Sequence, residues 1–427
     1  MNDSSSIPFA QFIKNTGRPQ DNSEQLETQC TAAPWLGESD IVKSVYIHIP
    51  FCFHKCHYCD FYSISAAERQ HEPFVRQLAK ELEHVGKHFP LIETIFVGGG
   101  TPTLFDIELF DEMLSVIAKH IQRSPQCEWT IEANPETVTS EKAKAMVNHG
   151  INRVSIGAQS FSPKLLKSLE RWHDVESVSR AVEHVRNAGI GNINLDLLHA
   201  IPNQTESQLL YDLERAAALQ PTHLSCYSLI YEPNTPLRTR LDRGEVQRVG
   251  HALEAAMFQT AREVLAQMGY VQYEISNFAK QGYECKHNLA YWTNQSWWPV
   301  GPSASGHLNG RRWKNTPKIS QYIDGNQMPQ ITDVEMLSLD RSAGEAFMVG
   351  LRLKKGMQKT WVEQLILDSN NAWRSNVMEQ YIKEGFLQWQ GEYLALTARG
   401  LTFADTVIAG LLMQDELITD TTELPLL

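Results

Sequence analysis

From about Lys43 onward, short β-branched runs alternate with longer stretches whose apolar residues recur at helical spacing. This is the pattern of repeated strand-helix units around a parallel sheet. Six runs before residue 230 read as strands: 44–49, Thr94–Val97, Glu128–Glu132, Arg153–Ile156, Ile193–Leu198 and His223–Leu229. Ahead of the fifth, Asp174 is placed to cap a helix, Val175, Val178, Val182 and Val185 share one of its faces, and Gly189 can end it. The order helix end, glycine, strand recurs at Gly150 before Ile151–Ile156, at Gly189 before Ile190–Leu198, and at Gly269 before Tyr270–Ile275. The expected fold is therefore α/β, with a partial parallel (β/α)6 barrel over 43–270 and an extension over 271–330.

Beyond about Gln330 the pattern changes. Helical stretches around Ser342–Leu353, Gln358–Leu367 and Asn371–Glu384 precede two runs, Phe386–Gln390 and Tyr393–Thr397, joined through Gly391 like a hairpin. Residues 331–427 thus read as a small, mostly helical, winged-helix-like domain. At the other end, residues 1–42 are rich in Ser, Asn, Gln, Pro and acidic side chains without amphipathic period, and read as a disordered extension.

Charge and cysteine usage narrow the setting. With 38 basic and 50 acidic residues among 427, the formal charge of −12 argues against broad attraction to nucleic acid or anionic lipid. The acidic tail Asp415, Glu416, Asp420 and Glu423 points the C-terminal domain toward packing or partner recognition instead. No run approaches the roughly twenty apolar residues of a membrane span. Asp3, Asp21, Glu24 and Glu27 do not fit an organelle-targeting peptide, and there is no apolar signal segment. Seven cysteines, three of them clustered, do not form a disulfide framework, so a cytoplasmic location is expected.

The candidate chemistry collects at strand ends. Cys52-x3-Cys56-x2-Cys59 directly follows the first strand. Three thiolates on one loop can hold three corners of an iron-sulfur cube and leave one iron open. His54 and His57 in the same loop allow another reading, a Cys3His zinc site in a zinc-stabilised binding protein. Gly98-Gly99-Gly100-Thr101-Pro102-Thr103 follows the second strand and matches neither the dinucleotide nor the P-loop pattern, yet its backbone can approach a ligand closely. Glu132, Gln159 and Asp196 fall at or just after the ends of strands three, four and five. Singly, Glu132 could cap a turn and Asp196 could be a satisfied sheet residue. Together they converge on one rim, which is where barrels of parallel strands build their sites.

These features resemble the radical S-adenosylmethionine superfamily. Tyr46–Cys52, Gly98–Thr103, Ile156–Phe161 and Asn194–Leu198 are similar, more narrowly, to the oxygen-independent coproporphyrinogen III oxidase family and its heme-chaperone branch, over roughly residues 43–410. The resemblance implies a 4Fe-4S cluster on Cys52, Cys56 and Cys59, with S-adenosylmethionine chelating the remaining iron. It places Tyr46, Tyr58, Gly99, Gly100, Thr101, Glu132, Gln159, Arg171 and Asp196 around that cofactor, although Arg171 also reads as a plain surface residue at a helix end.

Two features separate the branches. The oxidase has a further cysteine two residues after the third, where this chain has Phe61. Cys285–Trp292 contains the pattern H-N-x-x-Y-W of the chaperone branch, which implies heme contact at His287, a neutral imidazole flanked by flat aromatic surface. The expected function is a heme chaperone that passes heme to an unidentified acceptor protein and draws on a reductant for its cluster. The alternative is oxidative decarboxylation of coproporphyrinogen. Two loops depart from the family. Ala200-Ile201-Pro202-Asn203 replaces a glycine-containing turn, and Ser303 and Ser305 replace a usual Gly and His.

Overall fold

The computed structural model describes residues 31–65, 67–369 and 372–412. Six strands, β1 (Ser44–Ile49), β2 (Ile92–Gly99), β3 (Arg123–Ala133), β4 (Arg153–Gln159), β5 (Asn192–His199) and β6 (His223–Ser228), pair in parallel in sequence order. Along each, successive side chains point to opposite faces of the sheet. One phase holds Val45, Ile47, Ile95, Val97, Trp129, Ile131, Val154, Ile156, Ile193 and Leu195, all fully buried in one cluster with Phe74, Leu78, Phe110 and Leu114 of the flanking helices. The opposite phase holds Tyr46 and His48, Thr94 and Phe96, Glu128 and Glu132, Arg153 and Ser155, Asn194 and Asp196, His223 and Ser225. The barrel therefore has an apolar exterior under helices and a polar inner face.

Helix ends follow the predicted punctuation. Asp174 accepts a hydrogen bond from Ser177 N–H at the start of Val175–Asn187. Gly150, Gly189 and Gly269 stand at φ +98°, +108° and +83°, which suits glycine after a helix. The third repeat does not add a parallel strand. The Glu274 carboxylate accepts from Ser276 N–H (2.8 Å), and the chain folds back into β7 (Val271–Gln272) and β8 (Asn277–Ala279), which lies antiparallel to β6. On the other side β9 (Trp297–Val300) joins β1 in parallel and leads to antiparallel β10 (Ser305–Leu308), β11 (Arg311–Asn315) and β12 (Ile331–Met336), completing a twelve-stranded sheet.

The disordered extension expected over 1–42 is corrected at its inner end, and residues 1–30 lie outside the described residues. Ala33–Ile41 forms a 3-10 run with Trp35 edge-on to Trp313 (centroids 5.0 Å) and Leu36 buried. A few apolar side chains within a polar stretch suffice to dock it.

The C-terminal part has its own apolar cluster around Phe347, Leu351, Met357, Leu394, Leu396 and Ile408. Its helices Leu339–Gly350, Lys359–Ser369 and Ala372–Lys383 precede the hairpin Leu387–Gln390 and Tyr393–Leu396, which turns at Gly391 (φ +59°) and takes Met357–Gln358 as a third strand. The acidic tail lies outside the described residues.

Candidate functional site

The cysteine loop begins where β1 ends. Ile64 N–H donates to Pro50 O (2.7 Å) and Cys52 N–H to Ile64 O (3.0 Å), so the loop is closed on itself before the chain leaves for the next helix. Cys52, Cys56 and Cys59 are free thiols, partly exposed, at the mouth of the inner face. Burial raises the Cys59 thiol to about 11, aided by the charges of Cys56 and Cys52, and raises Cys52 for the same reasons. The three sulfurs thus sense one another, and a cation held among them would favour the thiolates. Three soft donors on one short loop fit three irons of a cluster.

The glycine loop is packed against the cysteine loop. Gly100 N–H donates to Ile49 O (2.8 Å), Thr101 N–H to Phe51 O (2.7 Å), and the Thr101 hydroxyl to Cys52 Sγ (3.6 Å). A Cβ on Gly100 would lie 2.6 Å from Phe51 O, and on Gly99 (φ +107°) 2.4 Å from the His48 ring. The side-chain-free backbone is therefore a requirement of packing as well as of any ligand.

The remaining predicted residues meet at this rim. Glu132 Oε2 accepts from Gly99 N–H (3.0 Å). Burial lifts its carboxyl to about 7, and the neighbouring Asp196 adds to the shift. Asp196 accepts from Ser155 (3.1 Å) and Asn194 (2.8 Å). Arg171 is no bystander at a helix end: it donates to Gly157 O (2.6 Å) and approaches Cys56 Sγ (3.6 Å). A Cβ on Gly157 would meet both Arg171 and Gln159 at 3.0 Å, and Gln159 itself turns at φ +64°. Tyr58 is half-buried beside Arg171, Cys56 and Asp196, and its phenol is raised well above the ordinary value mainly by desolvation. Tyr46 donates to His48 Nδ1 (3.0 Å), whose Nε2–H donates to Tyr62 O (2.8 Å). His48 was not among the expected residues, although its place two positions after Tyr46 puts it on the same face of β1.

His287 lies elsewhere on the same inner face. The helix Lys286–Trp292 closes the end of the barrel opposite the cysteines, its N-terminus held by Glu128, which accepts from Lys286 N–H (3.1 Å) and His287 N–H (3.2 Å). The buried imidazole bonds to Thr94 Oγ1 through Nδ1 (2.8 Å) and to Tyr291 OH through Nε2 (2.9 Å), with Phe96 against its ring (5.2 Å). The Thr94 hydroxyl donates to Ser44 (2.9 Å), so Nδ1–H is the donor to Thr94 and the Nε2 lone pair takes the Tyr291 proton. Burial, with Arg153 nearby, pushes its pKa down to about 3. On the far side of this helix a cavity of about 890 Å³, lined by Thr94, Lys286, Leu289, Trp361 and Tyr393, separates the barrel floor from the C-terminal domain. Among the described residues, no helix is long and apolar enough to cross a membrane.

Residues 46–216 match the model of the radical SAM superfamily, and residues 337–403 that of the HemN C-terminal domain. Heme chaperone HemW of Bacillus subtilis (strain 168) is 32% identical over 378 residues, covering 87% of this chain and 99% of the relative. HemW of Escherichia coli (strain K12) is 33% identical over 376 residues, covering 86% and 97%. Among solved structures, coproporphyrinogen III oxidase (HemN) from Escherichia coli superposes with a TM-score of 0.76 over 88% of this chain and 92% of that one, at 20% identity. That likeness concerns the fold.

Proposed function

Because the chain belongs to the family of HemW heme chaperones within the radical SAM superfamily, we propose that it binds heme at His287 and hands it to an acceptor protein. Membership of the superfamily implies a 4Fe-4S cluster and S-adenosylmethionine. In this reading Cys52, Cys56 and Cys59 hold the cluster, and Tyr46, Tyr58, Gly99, Gly100, Thr101, Glu132, Gln159, Arg171 and Asp196 surround the sulfonium cofactor. When bound and reduced, the cluster supplies an electron to that cofactor. Around it, Gly99 N–H and Arg171 fix the rim: the one orients the Glu132 carboxylate, the other ties the β4 end to the cysteine loop.

The observation that carries the heme assignment is the state of His287. Burial holds the imidazole toward its neutral form, and its Nε2 lone pair, the atom a heme iron would take, accepts the Tyr291 hydroxyl proton. Phe96 and Tyr291 provide aromatic surface beside it.

Titration of the reconstituted protein with hemin tests this directly. We expect one Soret-active heme per chain and roughly tenfold or greater weakening in His287→Ala, the loss of one iron ligand being worth more than an ordinary hydrogen bond. Decarboxylation of coproporphyrinogen without stable heme uptake would instead establish the oxidase reading, which Phe61, 66% exposed in place of the extra cysteine, disfavours. Zinc without iron and sulfide after anaerobic reconstitution would favour the Cys3His reading.

A further inference from the structure

Arg153 is the first residue of β4 and is 2% exposed. It stands in register between Thr130 of β3 and Asn192 of β5, with its side chain in the inward phase shared by Ser155 and Gly157. Its guanidinium makes no hydrogen bond or ion pair among the described residues, and Nε is enclosed without a partner. The hydroxyl of Thr130, fully buried on the same face, also lacks one. The carboxylates within electrostatic reach of Arg153, those of Glu128, Asp196 and Glu132, favour its charge but give it no hydrogen bond. Glu128 caps the Lys286–Trp292 helix, and Asp196 is held by Ser155 and Asn194.

An arginine is the hardest side chain to leave in this condition. It cannot shed its proton, its planar fork presents five donors, and a buried charge without hydrogen bonds costs several kcal/mol, of the order of 3 to 5. The cation offsets the inward carboxylates Glu132 and Asp196, while the apolar phase of β4 makes the contacts with the helices, so its hydrogen-bonding fork is left over. Such a group is matched by an anion that arrives from outside, and a carboxylate is the planar, two-oxygen partner that fits the fork.

The position distinguishes between two sources of carboxylate. Arg153 begins β4, four residues before Gly157 at the rim, a separation of about 13 Å at 3.3 Å per residue. Of the groups that act on the Arg153 charge, Cys285, Glu128 and Tyr273 of the floor weigh more than Asp196 nearer the rim. His287 and His223 on the floor feel the Arg153 charge as well. Resting on the heme reading above, we propose that Arg153 is the carboxylate receptor of the barrel floor and pairs with a propionate of the heme held at His287.

The test compares hemin with hemin dimethyl ester, whose propionates are neutral, on the full-length reconstituted protein. Wild type should bind hemin about tenfold or more tightly than the ester, as a hydrogen bond to a charged group warrants. Arg153→Met should bind both at the ester's level, and Arg153→Lys should recover part of the preference. Equal binding of hemin and ester by wild type overturns the assignment and needs no variant to fold. So does weaker S-adenosylmethionine binding by Arg153→Met with hemin selectivity intact. No hemin uptake by wild type would defeat the heme reading itself, whereas uptake without selectivity defeats only the role of Arg153.

Discussion

Ala200 and Asn203 stand at φ +58° and +63°, and Ser303 at φ +63°. These are the positions at which family members usually carry glycine. The departures therefore leave backbone geometry in place and load it with a Cβ. Asparagine tolerates the left-handed region, whereas alanine and serine are strained there by about 1 kcal/mol. Restoring glycine also loosens the unfolded chain, which offsets part of the gain. Ala200→Gly and Ser303→Gly should each raise unfolding free energy by about 0.5 kcal/mol, additively, while Asn203→Gly should be neutral or slightly destabilising. Urea midpoints at constant slope check this, and an equal gain at Asn203 would contradict the strain argument. Ser305, at the family's histidine position, is exposed, and its carbonyl accepts from Trp297 Nε1–H (2.8 Å).

At the scale of elements, the helix His71–Val85 is tied to the barrel by Glu81, which is fully buried. Its Oε2 accepts from Tyr322 OH (2.6 Å) and from Gly301 N–H (3.1 Å), while Oε1 is enclosed without a partner. Desolvation outweighs both hydrogen bonds and lifts the carboxyl from 4.5 to about 7. A folded pKa above the unfolded one means the folded state binds the extra proton. The stabilisation is complete below about 4.5 and is lost as pH rises through about 7. Between those values the slope approaches about 1.4 kcal/mol per pH unit. Glu81→Gln should remove this share of the slope and make the protein relatively more stable at pH 8, measured by denaturation across pH 5 to 8. An unchanged slope would show that Glu81 does not titrate there.

The parallel elements were legible because their strands carry an apolar phase and several of their helices, such as those before Gly150 and Gly189, end in glycine. What escaped was decided by non-local contacts. Arg153, one charged residue opening a short run, looks like a strand boundary, and nothing local reveals that its fork faces a polar interior. The Tyr270–Ile275 run looks like a seventh strand until the Glu274 side chain turns it back. The docked 31–41 segment depends on Trp313, far away in sequence.

For the whole molecule, the decisive joint is between the barrel floor and the C-terminal domain. Lys354 N–H donates to Tyr273 O (2.9 Å), and Arg352 reaches Glu274 (3.3 Å) while lying over the Trp292 ring at 4.5 Å. Tyr273 in turn bonds His223 (2.9 Å) on the inner face and accepts from Cys285 N–H (3.4 Å) at the start of the His287 helix. A contact network thus runs from the C-terminal domain to the proposed heme ligand and skirts the 890 Å³ cavity. Arg352→Met keeps the apolar stem over Trp292 but leaves the Glu274 carboxylate, 0% exposed, without its cation. Because Arg352 is itself partly solvated and Glu274 keeps other donors, the cost should be about 2 kcal/mol, below the full value for a severed buried pair. The loss should fall on the joint: hydrogen-exchange protection of residues 357–412 should drop relative to β1–β6, and hemin should dissociate faster. Uniform loss of protection across both parts would mean that they unfold as one unit, and that the joint carries no separate control over the His287 helix.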